Sequence, residues 1–402
     1  MKHEFRTFIC QAITVAALAV TLTGAALAQT ETVLYSFSSN GQDPNGGVVL
    51  DATGNLYGTL FSGGANSAGA VFELSPAIGG GWTETVLYAF NFTGGGYLPC
   101  SGLVFDSHGN LYGETLAGGT GGGGTIFELS PGSNGTWTET TLYNFASGTD
   151  GSVPFSGTLA IDGSGKLYGV TENGGTYGYG TVFELVAGSN GTWTKNILHS
   201  FAQENDGGLP FAEQLVLDSA GNIYGTTVQG GAHDYGVVFE LVRGANGTWS
   251  EKVLHAFSGG TDGSGPEGGL AIDAAGNLYG VSTYSVFQLA RGSNGQWTGK
   301  ILHTFGGGSD GSGPDSGLIF DTAGRLYGTT YGGGHHRGTV FELTPQSNGT
   351  WSEAVLHSFS SAGGDGVTPF FAKLAIDSHG NLYGTTSTGG SSNAGVVFEV
   401  AP

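Results

Sequence analysis

One stretch constrains this chain more than any other: DSHGNLYGTT, from Asp377 to Thr386, which recurs along the whole length. Its tyrosine returns at Tyr57, Tyr112, Tyr168, Tyr224, Tyr279, Tyr327 and Tyr383, at intervals of 55, 56, 56, 55, 48 and 56 residues. Length alone, 402 residues, would suggest two or three domains. Seven copies spread from end to end override that and imply one closed or stacked architecture.

Each copy carries the same four apolar segments. The first is a short run ending in aspartate, such as Gly102–Asp106, Thr158–Asp162 or Gly269–Asp273. An x-x-G-N turn leads into the Leu-Tyr-Gly segment, with glycine supplying positive φ and the aspartate positioned to bond the turn amides. A Gly-Gly loop precedes the third segment, VFEL or a close variant, at Val71, Ile126, Val182, Val238, Val286, Val340 and Val397. The fourth begins with tryptophan, as in WTETVLYAF from Trp82 to Phe90, and all six tryptophans of the chain occupy that position. A D-G-x-x-P loop, such as Asp150–Pro154, then opens the next copy. Alternating apolar and polar residues, rich in β-branched and aromatic types, mark strands. The 79 glycines, without a Gly-X-Y period, supply turns.

Four short antiparallel strands per copy fit a solenoid or a β-propeller. Gln29–Phe37 (QTETVLYSF) is a lone fourth segment, and the chain stops at Pro402 just after a third one. A ring uses that offset, because the first strand completes the last blade and leaves no open edge. The expected fold is all-β: a seven-bladed propeller over 29–402, closed by residues 29–37 as outer strand of the last blade.

DxxGNLYGTT followed by GG and GTVFEL resembles the Gloeobacter–Verrucomicrobia tandem repeat of exported bacterial proteins. The shorter L-x-x-D-x-x-G-N-L-Y pattern is similar to NHL-type propeller repeats. The resemblance covers all seven copies. It implies an extracellular or surface setting and no defined activity.

Lys2 and Arg6, an apolar run at Ile13–Leu22 and Ala26-Leu27-Ala28 read as an export signal cleaved after Ala28. Cys100 is then the sole cysteine, and no intrachain disulfide can form. With no C-terminal sorting anchor, release to the periplasm or the exterior is expected. A net charge of −21, from 32 acids and 11 bases, argues against nucleic acid and against an anionic membrane surface. No membrane insertion after signal cleavage, and a monomer, are expected.

Chemistry is sought where copies differ. Glu73, Glu128, Glu184, Glu240, Glu342 and Glu399 of the third strands recur too often to be catalytic, and read as acceptors in a structural ladder. His199, His255, His303 and His357 stand where Tyr35, Tyr88 and Tyr143 stand in other copies, which argues for packing. The 48-residue interval follows from a Gly-Gly loop shortened to Ser282–Ser285 in the fifth copy. Beside it lie Asp262, Glu267, Asp310 and Asp315, whose carboxylates could hold Ca²⁺ with backbone carbonyls. The flanking loops carry His233, Asp234, Tyr331, His335, His336 and Arg337, able to add a softer metal or a general base. Aromatic residues fall in the same two loop sets: Tyr97, Phe155, Tyr177, Phe211, Tyr235, Tyr331, Phe370 and Phe371. They suit sugar or peptide binding, and the Pro-Phe ones suit a plug in the central channel. No zincin, Walker or nucleophile-elbow motif is present. The leading expectation is a secreted binding or scaffold module for a glycan, peptide, protein or surface polymer. The alternative is a metal-dependent lyase or hydrolase with its site near blades 4–6, and a purely structural envelope module is a third reading.

Overall fold

Seven four-stranded antiparallel blades stand in a ring in a computed structural model that describes residues 31–38, 41–154, 157–211 and 214–401. The proposed signal, 1–28, lies outside the described residues. Blade 1 runs Gly41–Leu50, Leu56–Gly63, Ala70–Pro76 and Trp82–Ala89, from axis to rim. In blade 2, Gly96–Pro99 adds a fifth strand near the axis. Blade 7 is assembled from both ends of the chain. Its outer strand is Glu31–Ser36, paired with Val396–Val400 from Glu31 opposite Val400 to Ser36 opposite Val396. The ring is therefore closed by hydrogen bonds.

The third residue of Leu-Tyr-Gly is fixed by a close approach. A Cβ on Gly225 would lie 2.6 Å from Phe239 Cζ and 2.7 Å from Leu215 Cδ2. The phenylalanine of the neighbouring strand fills the space that a side chain would need, and the other six copies share this arrangement. That phenylalanine meets the last aromatic of the preceding blade's outer strand, edge to face. Phe37–Phe72, Phe90–Phe127 and Phe201–Phe239 have ring centroids 5.0–5.2 Å apart. Every seam between blades thus contains an aromatic contact, each buried ring contributing about 1.5–3 kcal/mol.

The motif tyrosines also lie in the seams. Tyr57 packs on Trp137 and Tyr112 on Trp193, each at the start of the next blade's outer strand. Their hydroxyls reach back to the turn aspartate. Asp218 accepts amide protons from Ala220 and Asn222, both at 2.9 Å, and the Tyr224 hydroxyl at 3.1 Å. Burial pulls its carboxyl up, yet these bonds outweigh burial and hold it below the usual aspartate range. The third-strand glutamates are acceptors: Glu240 takes the Tyr224 hydroxyl at 3.0 Å and Glu128 takes Ser130 Oγ at 2.8 Å.

Each outer strand carries a β-bulge at the leucine before its Tyr or His. In blade 3, His199 pairs with Val182 but Ile197 pairs with Phe183, leaving Leu198 extra. A one-residue slip turns every later side chain to the opposite face. The first half of the strand therefore faces the preceding blade, and the second half faces the next. Trp137 packs on blade 1, for example, while Phe145 packs on Phe183 of blade 3.

Candidate functional site

The D-G-x-x-P and Gly-Gly loops share one face. Ser152 bridges to Asn173, Gly208 to Gln229 and Ser312 to Gly332, each pairing one loop set with the other. The aspartates on this face mainly close their own loops. Asp234 accepts the Gly230 amide at 2.8 Å, and Asp262 accepts the Ser258 amide at 3.0 Å. Asp315 is buried and accepts the Phe371 amide at 3.4 Å. Glu267 is half-buried, and burial pushes its carboxyl up. His233, His335, His336 and Arg337 are exposed on loops of blades 4 and 6. Tyr331 is exposed and packs over Gly313 and toward Phe370.

The four-carboxylate calcium grouping of Asp262, Glu267, Asp310 and Asp315 does not assemble. Among the described residues, no set of three ligating side chains within 4.8 Å contains Asp262, Glu267 or Asp315, and none contains His233, His335 or His336. The reason is that these acids are engaged separately: Asp262 caps the Ser258 amide of its own loop, while Asp315 reaches the Phe371 amide of the next blade.

Phe211 and Phe371 meet over the axis at 5.2 Å, from blades on opposite sides of the ring. Lys373 bonds Gln214 between the same two blades. Beyond this lies a cavity of about 400 Å³ lined by Val49, Leu103, Val104, Ile319 and Leu374. Phe155 lies outside the described residues.

The seams hold what the sequence reading missed. The bulge aims the seventh residue of each outer strand at the third residue of the next. Tyr35 donates to Glu84 at 2.8 Å. Tyr143 donates at 2.7 Å to Asp150, which also pairs with Lys195 at 3.1 Å. The Lys195 side chain is 2% exposed and lies 4.8 Å from the Phe145 ring centroid; burial pulls its ammonium below the usual lysine range, opposed by Asp150. Where the seventh residue is histidine, it meets the loop aspartate: His199–Asp206 at 3.0 Å, His255–Asp262 at 3.4 Å, His303–Asp310 at 3.0 Å and His357–Asp365 at 3.3 Å. Glu251, Glu353 and Glu31 close three of these seams, and burial pushes each carboxyl up to about 7. In the fourth, Gly299 replaces the glutamate, and a cavity of about 240 Å³ stands beside His255 and Asp262. The missed signal was a pairing within the chain. His199, His255, His303 and His357 each have an aspartate seven or eight residues on, as do Tyr35 and Tyr143, and the copy with Tyr88 lacks it.

Exposed aromatic rings gather on the loop face. Among the described residues the markedly exposed ones are Phe92, Tyr177, Tyr235, Tyr284, Tyr331 and Phe370, from 37% to 61% exposed. All six sit in D-G-x-x-P or Gly-Gly loops or their equivalents. Tyr284 is presented by the shortened loop of blade 5, where its carbonyl accepts the Phe305 amide at 2.8 Å.

The Gloeobacter/Verrucomicrobia repeat model matches residues 20–164 and 285–402. The chain belongs to this repeat family. No functionally curated protein matches it. Among solved structures, this repeat protein is similar to virginiamycin B lyase from Staphylococcus aureus, at 14% identity and TM-score 0.57, over 93% of this chain and 99% of that one. It is similar to an extracellular domain assigned to a hybrid two-component system of B. thetaiotaomicron, at 12% identity and TM-score 0.55, over 92% of this chain and 39% of that one. A chain assigned as a 6-phosphogluconolactonase from Bacteroides fragilis matches at 18% identity and TM-score 0.51, over 76% and 82%. At these identities the likeness is one of fold alone.

Proposed function

We propose that this repeat protein is an exported, monomeric binding module whose loop face holds a neutral or cationic glycan. The observation that carries this reading is the confinement of exposed aromatic rings to that face. Tyr177, Tyr235, Tyr284 and Tyr331 come from consecutive blades 3 to 6, so successive rings follow the rim as successive sugars follow a chain. Rings offer apolar faces to sugar C–H groups, and the surrounding Gly, Ser, Thr and Asn offer hydrogen bonds. A net charge of −21 disfavours acidic polymers. The signal-like residues 1–28 support export.

Affinity electrophoresis in gels containing neutral polysaccharides or chitosan tests this. One of them is expected to retard the protein, and Tyr235→Ala with Tyr284→Ala is expected to weaken retention tenfold or more without lowering Tm. Unretarded migration in every gel would overturn the reading. The loop histidines of blades 4–6, His233, His335 and His336, join no cluster of three ligating side chains among the described residues, so they supply the lyase alternative with no metal-ligand set. Virginiamycin B is what the neighbour's name says that neighbour acts on.

A further inference from the structure

We propose that two blade seams are divalent transition-metal sites of the zinc class: His303, Asp310 and Glu353 between blades 5 and 6, and His357, Asp365 and Glu31 between blades 6 and 7. In each set, one ligand atom per residue lies within 4.8 Å of the others, a spread that one ion can bridge after a small closure. An imidazole with two carboxylates is a borderline donor set, which favours zinc over calcium.

The donor count within the seams points the same way. In the Tyr35 seam, a hydroxyl proton lies between the ring and the Glu84 carboxylate, and the contact is complete. A histidine seam has one donor facing two acids. His303 Nε2 is engaged with Asp310, and Glu353 Oε1 is buried without a hydrogen-bond partner. His357 Nε2 is engaged with Asp365, and both Asp365 Oδ1 and Glu31 Oε1 are buried without one. Buried acceptors left in this state are costly, and a cation supplies what they lack. The chain itself shows where that cation belongs. In the seam between blades 2 and 3, Lys195 replaces the glutamate and its ammonium enters the same position to meet Asp150.

The His255 seam provides a control, since Gly299 removes one ligand. A Cβ at Gly299 would lie 3.4 Å from Leu289 Cδ2 and 3.7 Å from His255 Cε1, in ordinary contact and directed at the imidazole. Gly299→Glu therefore has room to complete a further site.

The purified chain, stripped with EDTA, is titrated with ZnSO₄ and separately with CaCl₂ by calorimetry, and bound metal is counted after gel filtration. The expected result is at least two zinc per chain, a raised Tm with zinc and none with calcium. His303→Gln and His357→Gln each remove one zinc, His255→Gln removes none, and Gly299→Glu adds one. The gain in Gly299→Glu reads the site without depending on a weakened variant. Fewer than two zinc, or stoichiometry unchanged across these four variants, would sink the proposal.

Discussion

At the residue scale, Glu114 is the position most at odds with its surroundings. It follows Leu-Tyr-Gly in blade 2, where other copies have Thr59, Val170, Thr226 or Thr385. The side chain is fully buried, and Oε1 has no hydrogen-bond partner. Burial alone raises its carboxyl well above the glutamate range. The folded state therefore holds a proton that the unfolded chain releases near pH 4–5. Stability from this group is greatest below the unfolded pKa and declines as pH rises toward the folded one. Glu114→Gln keeps the shape and removes the charge. It is expected to raise stability at pH 8 by about 1–3 kcal/mol and to change little at pH 4. Denaturant unfolding at the two pH values checks this, and an equal effect at both would disprove it.

At the element scale, the Leu-Tyr-Gly strand and its VFEL partner behave as one interlocked piece. Gly225→Ala would drive a methyl into Phe239 and Leu215, and is expected to cost about 1–3 kcal/mol. Thermal unfolding reads this directly. Pairing the substitution with Phe239→Leu should recover part of the loss, because the ring tip is what the methyl strikes. Strand order and blade number were legible in the sequence, because the repeat states them seven times. The reason for glycine after Tyr224 was not, since it depends on a ring from another strand. The Tyr-to-His exchange at His303 was legible as a position but not as a partnership. Its acids, Asp310 and Glu353, arrive from a later loop and from the next copy, and only the bulge aims the ring at both. The loop acids Asp262 and Asp315 misled for the opposite reason. Nearness in sequence to a shortened loop suggested convergence, while amide capping had already claimed them.

At the scale of the whole molecule, closure rests on six residues from the N-terminal side, Glu31–Ser36. Deleting residues 29–37 would expose the Val396–Val400 edge and uncover Phe72, which Phe37 caps at 5.0 Å. The truncated chain is expected to lose well over 5 kcal/mol and to self-associate through the open edge. Light scattering with chemical denaturation checks this, and a monomer of unchanged stability would contradict it. The bulged outer strand has one more consequence, this time for how such a chain can change over time. Its first half answers the blade before it and its second half answers the blade after. A duplicated or exchanged copy cut at its own boundaries would carry Glu353 away from His303 and bring the wrong neighbour to Phe359, which packs on Phe398 of the next blade. The inheritable unit of this ring is therefore offset by half a blade from the repeat one reads in the letters, running from the middle of one outer strand to the middle of the next.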